Sequence, residues 1–133
     1  MSTSDQSDTL AGILRTTVVD LVRRDGPDLS ARQLAVFLHC YLEPEAQTVR
    51  GLAARLAVSK PAITRALDRL AEFDLIRRKI DPLDRRSVLV QKTSAGQAFM
   101  RDVRAILRSA AQAKPEPAAT SGRNRHAEVR VAH

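Results

Sequence analysis

At 133 residues the chain is long enough for one domain with a modest core and too short for several. Aromatic residues make up only 3% of it and charged residues 28%, so its core must be built from Leu, Val, Ile and Ala, which suits packed helices better than a β-sandwich. The net charge of +7 lies wholly between Arg50 and Arg104, where 13 Lys and Arg stand against 6 Asp and Glu, the footprint of a nucleic-acid binder or, more plainly, of a solvated basic face.

Residues 1–8 are polar and read as a disordered leader. From Leu10 the apolar positions Leu10, Ile13, Leu14, Val18, Leu21 and Val22 recur at helical spacing, and Asp25-Gly26-Pro27 stops that helix. Ser30-Ala31-Arg32-Gln33 has the form of a capping box and opens a second helix, with Leu34, Phe37, Leu38, Tyr41 and Leu42 as its buried stripe and Pro44 as its end. Thr48 can cap a short third helix through Leu56, with Leu52, Ala53 and Leu56 inward.

After the turn Ala57-Val58-Ser59, a fourth helix runs from Lys60 to about Glu72, with Ile63, Ala66, Leu67 and Leu70 facing the core. The period then changes. Residues 75–80 and 87–91 are short, β-branched and extended-looking, and Asp81-Pro82-Leu83-Asp84-Arg85-Arg86 between them reads as a six-residue hairpin loop. Ser94-Ala95-Gly96-Gln97 reads as another capping box, opening a fifth helix with Phe99, Val103, Ile106, Leu107 and Ala110 on one face. Past Lys114 the pattern fails, and residues 114–133 read as a flexible basic tail.

The predicted architecture is mainly α with a small β-hairpin: a winged helix-turn-helix with an extra helix at each end. Its domain spans residues 9–113, with a DNA-binding core at residues 30–93. A major groove about 12 Å wide admits the second helix of such a motif. Here the outward face at that helix's N-terminal end carries Ser59, Lys60, Pro61, Thr64 and Arg65, able to reach guanine edges or phosphates. Arg85 and Arg86, placed at the tip of the hairpin, can enter the adjacent minor groove. Asp84, or Asp81 across the loop, can hold one of them by a charge-assisted bond. Arg77, Arg78 and Lys79 on the first strand would meet phosphates alongside.

Other chemistries find little support. The single Cys40 permits no internal disulfide and no cysteine-rich zinc site, and three scattered histidines have no metal-ligand spacing. There is no glycine-rich phosphate loop and no nucleophilic triad pattern. The Asp81/Asp84 pair sits on an exposed loop beside arginines, an environment poor for proton transfer. Cys40 has no Lys or Arg close in sequence to activate it and reads as a small hydrophobe. No apolar run approaches the ~20 residues needed to cross a bilayer, and the acidic start is no secretory signal. The expectation is a cytoplasmic protein that is not an enzyme, binds double-stranded DNA, and needs no metal or cofactor.

Two segments also carry a resemblance. Val58-Ser59-Lys60-Pro61-Ala62-Ile63-Thr64-Arg65, followed by Leu67-Asp68-Arg69-Leu70, resembles the recognition helix of the MarR family of winged-helix regulators. Asp81-Pro82-Leu83-Asp84-Arg85-Arg86, Val88-Leu89-Val90 and Thr93-Ser94-Ala95-Gly96 resemble that family's wing and the exit to its next helix. The resemblance covers about Leu34 to Gly96. It implies base and phosphate contacts from Ser59, Lys60, Pro61, Thr64 and Arg65, and minor-groove contact from Arg85 with Arg86 beside it.

It further implies a homodimer joined through the first helix and the C-terminal helices as dimerisation helices, reading a pseudo-palindromic operator. A small phenolic or aromatic ligand between the DNA-binding lobe and those helices is implied too. The turn to a Pro-rich sequence at Lys114 implies a smaller interface and pocket than is usual in the family. An architectural or protein-interaction module with little sequence choice is the alternative function.

Overall fold

The structure, a computed structural model, describes residues 3–113 as five helices and one hairpin. In chain order these are α1 (Thr3–Arg23), α2 (Ala31–Leu42), α3 (Val49–Leu56), α4 (Lys60–Glu72), β1 (Ile76–Asp81), β2 (Asp84–Lys92) and α5 (Ser94–Gln112). This is the winged helix-turn-helix with a flanking helix at each end. The expected basic tail lies outside the described residues.

α1 begins at Thr3, so residues 3–8 are helical where a disordered leader is expected from their polarity. Asp5 lies in the first turn, where the helix dipole favours an acid, and the Thr9 hydroxyl donates to the Asp5 carbonyl at 2.8 Å. These residues are polar and exposed, so no apolar period announces them. At the other end Gly26 has φ +152°, a conformation that side-chain-bearing residues rarely adopt.

α2 opens on the predicted capping box. The Ser30 hydroxyl accepts the Gln33 N–H at 3.1 Å, and the Gln33 side chain accepts the Ser30 N–H at 2.9 Å. Its buried arc is Val36, Phe37, Cys40 and Tyr41, so the stripe lies partly on other residues than the sequence pattern implies. Leu34 and Leu38 sit half-buried at the edges and Leu42 is 55% exposed. The aromatic contacts fix this rotation: Phe37 stacks on Tyr41 at 4.5 Å and meets Phe99 of α5 edge-on at 5.1 Å.

One core joins all of this, with Leu52, Ile63, Leu67, Leu70 and Ile76 almost fully removed from solvent. α3 and α4 pack on each other and α4 packs on α2, while α1 lies along α5. Arg24, just past α1, clamps that pair. It reaches Asp102 at 2.8 Å and lies 5.3 Å over the Phe99 ring. α5 is capped by Thr93 rather than Ser94, because the Thr93 hydroxyl accepts the Gly96 N–H at 2.9 Å.

Candidate nucleic-acid interface

The turn between α3 and α4 is set by local chemistry. Ala57 ends α3 in the left-handed conformation, φ 55°, and its N–H is used on the carbonyls of Ala53 and Ala54. Ser59 then caps α4, its hydroxyl accepting the Ala62 N–H at 3.2 Å, and Pro61 falls in the first turn, where a missing N–H costs nothing. Ala62, Ile63, Ala66, Leu67 and Leu70 turn inward. Ser59, Lys60, Pro61, Thr64 and Arg65 are therefore left together on the exposed face of the first two turns, as the sequence predicts.

The wing differs from its prediction. β1 and β2 pair antiparallel as far as Asp81 opposite Asp84, leaving only Pro82 and Leu83 as the turn. Arg85 and Arg86 are thus residues of β2, not of the tip. The register jumps from Ile80–Val88 to Asp81–Asp84, so Arg85, Arg86 and Ser87 form a bulge with no partners on β1. Both arginines are exposed there. A run of charged residues has low strand propensity and reads as loop, but the Asp-Pro turn starts the pairing earlier.

The predicted carboxylate supports divide the work. Asp84 accepts the Arg86 N–H at 3.1 Å and lies 3.8 Å from its guanidinium, while Asp81 accepts the Leu83 N–H at 2.9 Å and holds no arginine among the described residues. A further strand-like contact, absent from the sequence reading, braces the hairpin's base. The Val90 N–H donates to the Gln47 carbonyl at 2.8 Å, and Thr48 bridges Leu89.

Electrostatics sort the cations of this face. Asp68 pairs with Arg78 at 2.7 Å, Glu72 with Arg69 at 2.8 Å and Asp74 with Arg77 at 4.0 Å. With Asp81 and Asp84 engaged in the hairpin, every carboxylate from Lys60 to Arg86 is occupied. Lys60, Arg65, Lys79 and Arg85 have no ion-pair partner among the described residues. Arg78, expected at phosphate, pairs here with Asp68 and so ties β1 to α4. Arg77 is bound only at the limit of contact and stays exposed.

Clefts among the described residues lie where a ligand pocket is expected. One of about 230 Å³ is open and lined by Tyr41, Lys92, Gln97, Met100, Arg101 and Arg104. The other, about 60 Å³, lies between α1 and α2 against Phe99. Cys40 is buried, and burial pushes its thiol up to about 12 although the Lys92 cation works against this. No helix among the described residues is long and apolar enough to cross a membrane.

Comparison with known proteins fits this geometry. Residues 27–87 match the sequence model of the MarR family. No curated protein sequence matches the chain. Among solved structures, a MarR-family transcriptional regulator from Rhodococcus sp. RHA1 is 24% identical, with 99% of this chain and 96% of that one covered and a TM-score of 0.61. The YusO protein from Bacillus subtilis is 20% identical over 96% of this chain and 89% of its own, with a TM-score of 0.65. MepR of S. aureus, in a complex with DNA, is 16% identical over 98% of this chain and 94% of its own, with a TM-score of 0.60. From the α1–α2 loop into the second strand of the wing, residues 27–87, the chain is thus similar to the MarR family, and it has the fold that these solved structures share.

Proposed function

We propose that the protein is a sequence-specific DNA-binding transcriptional regulator, reading a pseudo-palindromic operator as a homodimer. The observation that carries this reading is the sorting of charge. With the carboxylates of residues 60–86 occupied, the cations left over stand at the start of α4 and in the wing. Those are the two places where this fold meets a major groove and the minor groove beside it. Lys60 and Arg65 are assigned to base edges or phosphates, and Ser59, Pro61 and Thr64 to the phosphate and base contacts around the N-terminus of α4. Arg85, with Arg86 held by Asp84, is assigned to the minor groove, and Arg77 to a phosphate. That MepR, with the same fold, is known in a DNA complex supports the reading.

The dimer is proposed from α1. Leu10, Leu14, Val18 and Val22 follow one another at intervals of four, and the first, second and fourth are 66%, 64% and 62% exposed. A second copy of the same helix would cover them, and two recognition helices would then meet half-sites about 34 Å apart.

The test is selection of bound sequences from random DNA, followed by affinities for the winner and for scrambled DNA across a salt series. A palindromic winner bound at least ~10³-fold tighter than scrambled DNA is expected. Arg65→Ala should lose that preference, and Arg85→Ala should weaken binding and flatten the salt dependence. No enriched sequence, with affinity that merely falls as salt rises, would leave an architectural DNA-binding protein instead.

A further inference from the structure

We propose that Leu83 is a minor-groove contact that makes the wing prefer A·T to G·C pairs, an inference that rests on the DNA-binding reading above. Leu83 is 94% exposed, the most exposed large apolar side chain among the described residues. Single exposed leucines are ordinary, so its setting carries the argument. It is one of two residues in a tight turn, a place usually given to Gly, Asn, Asp or Ser. No positive φ is required there, since Ala57 and Asp74 are the only non-glycine residues with one among those described. Turn chemistry therefore accounts for Asp81 and Pro82 but not for a leucine after them.

The turn is also braced on both sides. Asp81 accepts the Leu83 N–H at 2.9 Å, and Asp84 accepts the Arg86 N–H at 3.1 Å. A leucine is thus presented on a stiff apex, with exposed Lys79, Arg85 and Arg86 within four residues of it.

Those cations choose the occupant. A second copy would bring the same cations against them, and an apolar protein surface would have to bury guanidinium groups without partners. A minor groove offers phosphate walls to the cations and a sugar-lined cleft to the leucine. Its floor carries only acceptors at A·T pairs, and neighbouring arginines can donate to these. At G·C pairs the guanine 2-amino group projects into the groove, where it would meet an apolar side chain that accepts nothing. Arginine attraction to a narrow groove is electrostatic and falls with salt. The leucine term is a contact term and does not.

The experiment places G·C, A·T or inosine·C pairs in turn at each operator position flanking the major-groove half-site. It measures affinity of the full chain and of Leu83→Ala at several salt concentrations. Inosine lacks the 2-amino group but keeps guanine's major-groove edge, so it separates readout in the minor groove from readout in the major groove. For the wild-type protein at one flank position, A·T and inosine·C should bind alike and G·C about tenfold more weakly. Leu83→Ala should level the three while keeping the wild-type salt slope and urea midpoint. Unchanged discrimination in Leu83→Ala overturns the proposal, as does a lowered salt slope, which would mean the residue acts only by positioning arginines. If an operator is selected but no flank position distinguishes G·C from inosine·C, the proposal falls and the regulator reading stands. If no operator is selected, both fall.

Discussion

Cys40 shows how burial decides what a single residue can do. Its thiol is pushed up to about 12 by desolvation, against the smaller opposing effect of the Lys92 cation. The thiolate is the reactive form, so the folded chain should hold an inert cysteine. At about pH 8 a thiol reagent should label the native protein only as fast as it opens, and the urea-unfolded chain at once; rapid native labelling would contradict this. The same shift sets a pH dependence. The unfolded thiol loses its proton near 9.0 and the folded one only near 12. Between these values the unfolded state binds fewer protons, so stability falls as pH rises through that window and is untouched below it. Cys40→Ala should therefore lose less urea resistance than wild type between about pH 8 and pH 10.5. The absence of a cation close in sequence already suggests a passive Cys40. That Lys92 approaches from β2 is not legible, because tertiary folding brings it there. Caps show the same division. Ser30 and Gln33 are readable because both halves of their box are local, whereas Thr93 displaces Ser94 through bonds the sequence does not display.

Those bonds tie four elements at one point. The Tyr41 hydroxyl of α2 donates to the Leu75 carbonyl at 2.6 Å, just before β1, and accepts the Thr93 N–H at 3.1 Å, just after β2. The Thr93 hydroxyl donates to the Asp74 carbonyl at 2.6 Å. Gly96, in the first turn of α5, lies against this knot so closely that an added methyl would overlap the Tyr41 hydroxyl and the Leu75 carbonyl. Tyr41→Phe leaves a buried N–H and a buried carbonyl each short of a partner, at a cost of about 2 kcal/mol. Gly96→Ala must push elements apart and should cost about 3 kcal/mol. The two should not add. With the hydroxyl gone the methyl meets one obstacle fewer, so Gly96→Ala should cost less in the Tyr41→Phe background when both are read by urea unfolding. Strictly additive costs would mean the two residues do not share this contact. At this scale the sequence displays period but not partners. The helices and the two extended segments are legible from apolar spacing. The two-residue turn is not, because Asp84-Arg85-Arg86 looks like loop until Asp81 is seen to pair with Asp84.

For the whole molecule the position of charge is legible in the sequence, since exposed cations on α4 need only the helical period to be placed. Which cations remain unpaired is not, because the Arg78–Asp68 contact joins a strand to a helix. The apolar surface poses the complementary question. Leu10, Leu14, Val18 and Val22 satisfy the helical period, yet only Val18 falls below half-exposed, at 44%. Four such side chains in a row on one helix exceed what scattered surface apolarity explains, and the basic face on α4 and the wing lies elsewhere and gives them no role. If they join two copies, unfolding must depend on protein concentration, because the folded state is then linked to association. Leu14→Glu, at a position already 64% exposed, costs the single chain little and puts a charge into the proposed seam. Sedimentation should give a dimer for wild type and a monomer for the variant. Affinity for a single half-site should hardly change, since α4 and the wing are untouched. Affinity for the full operator should drop by roughly 10²–10⁴-fold, because the second half-site no longer binds at high effective concentration. A Leu14→Glu variant that remains dimeric would place the seam elsewhere. A monomeric wild type that still binds a palindrome tightly would mean that the two copies meet only on DNA.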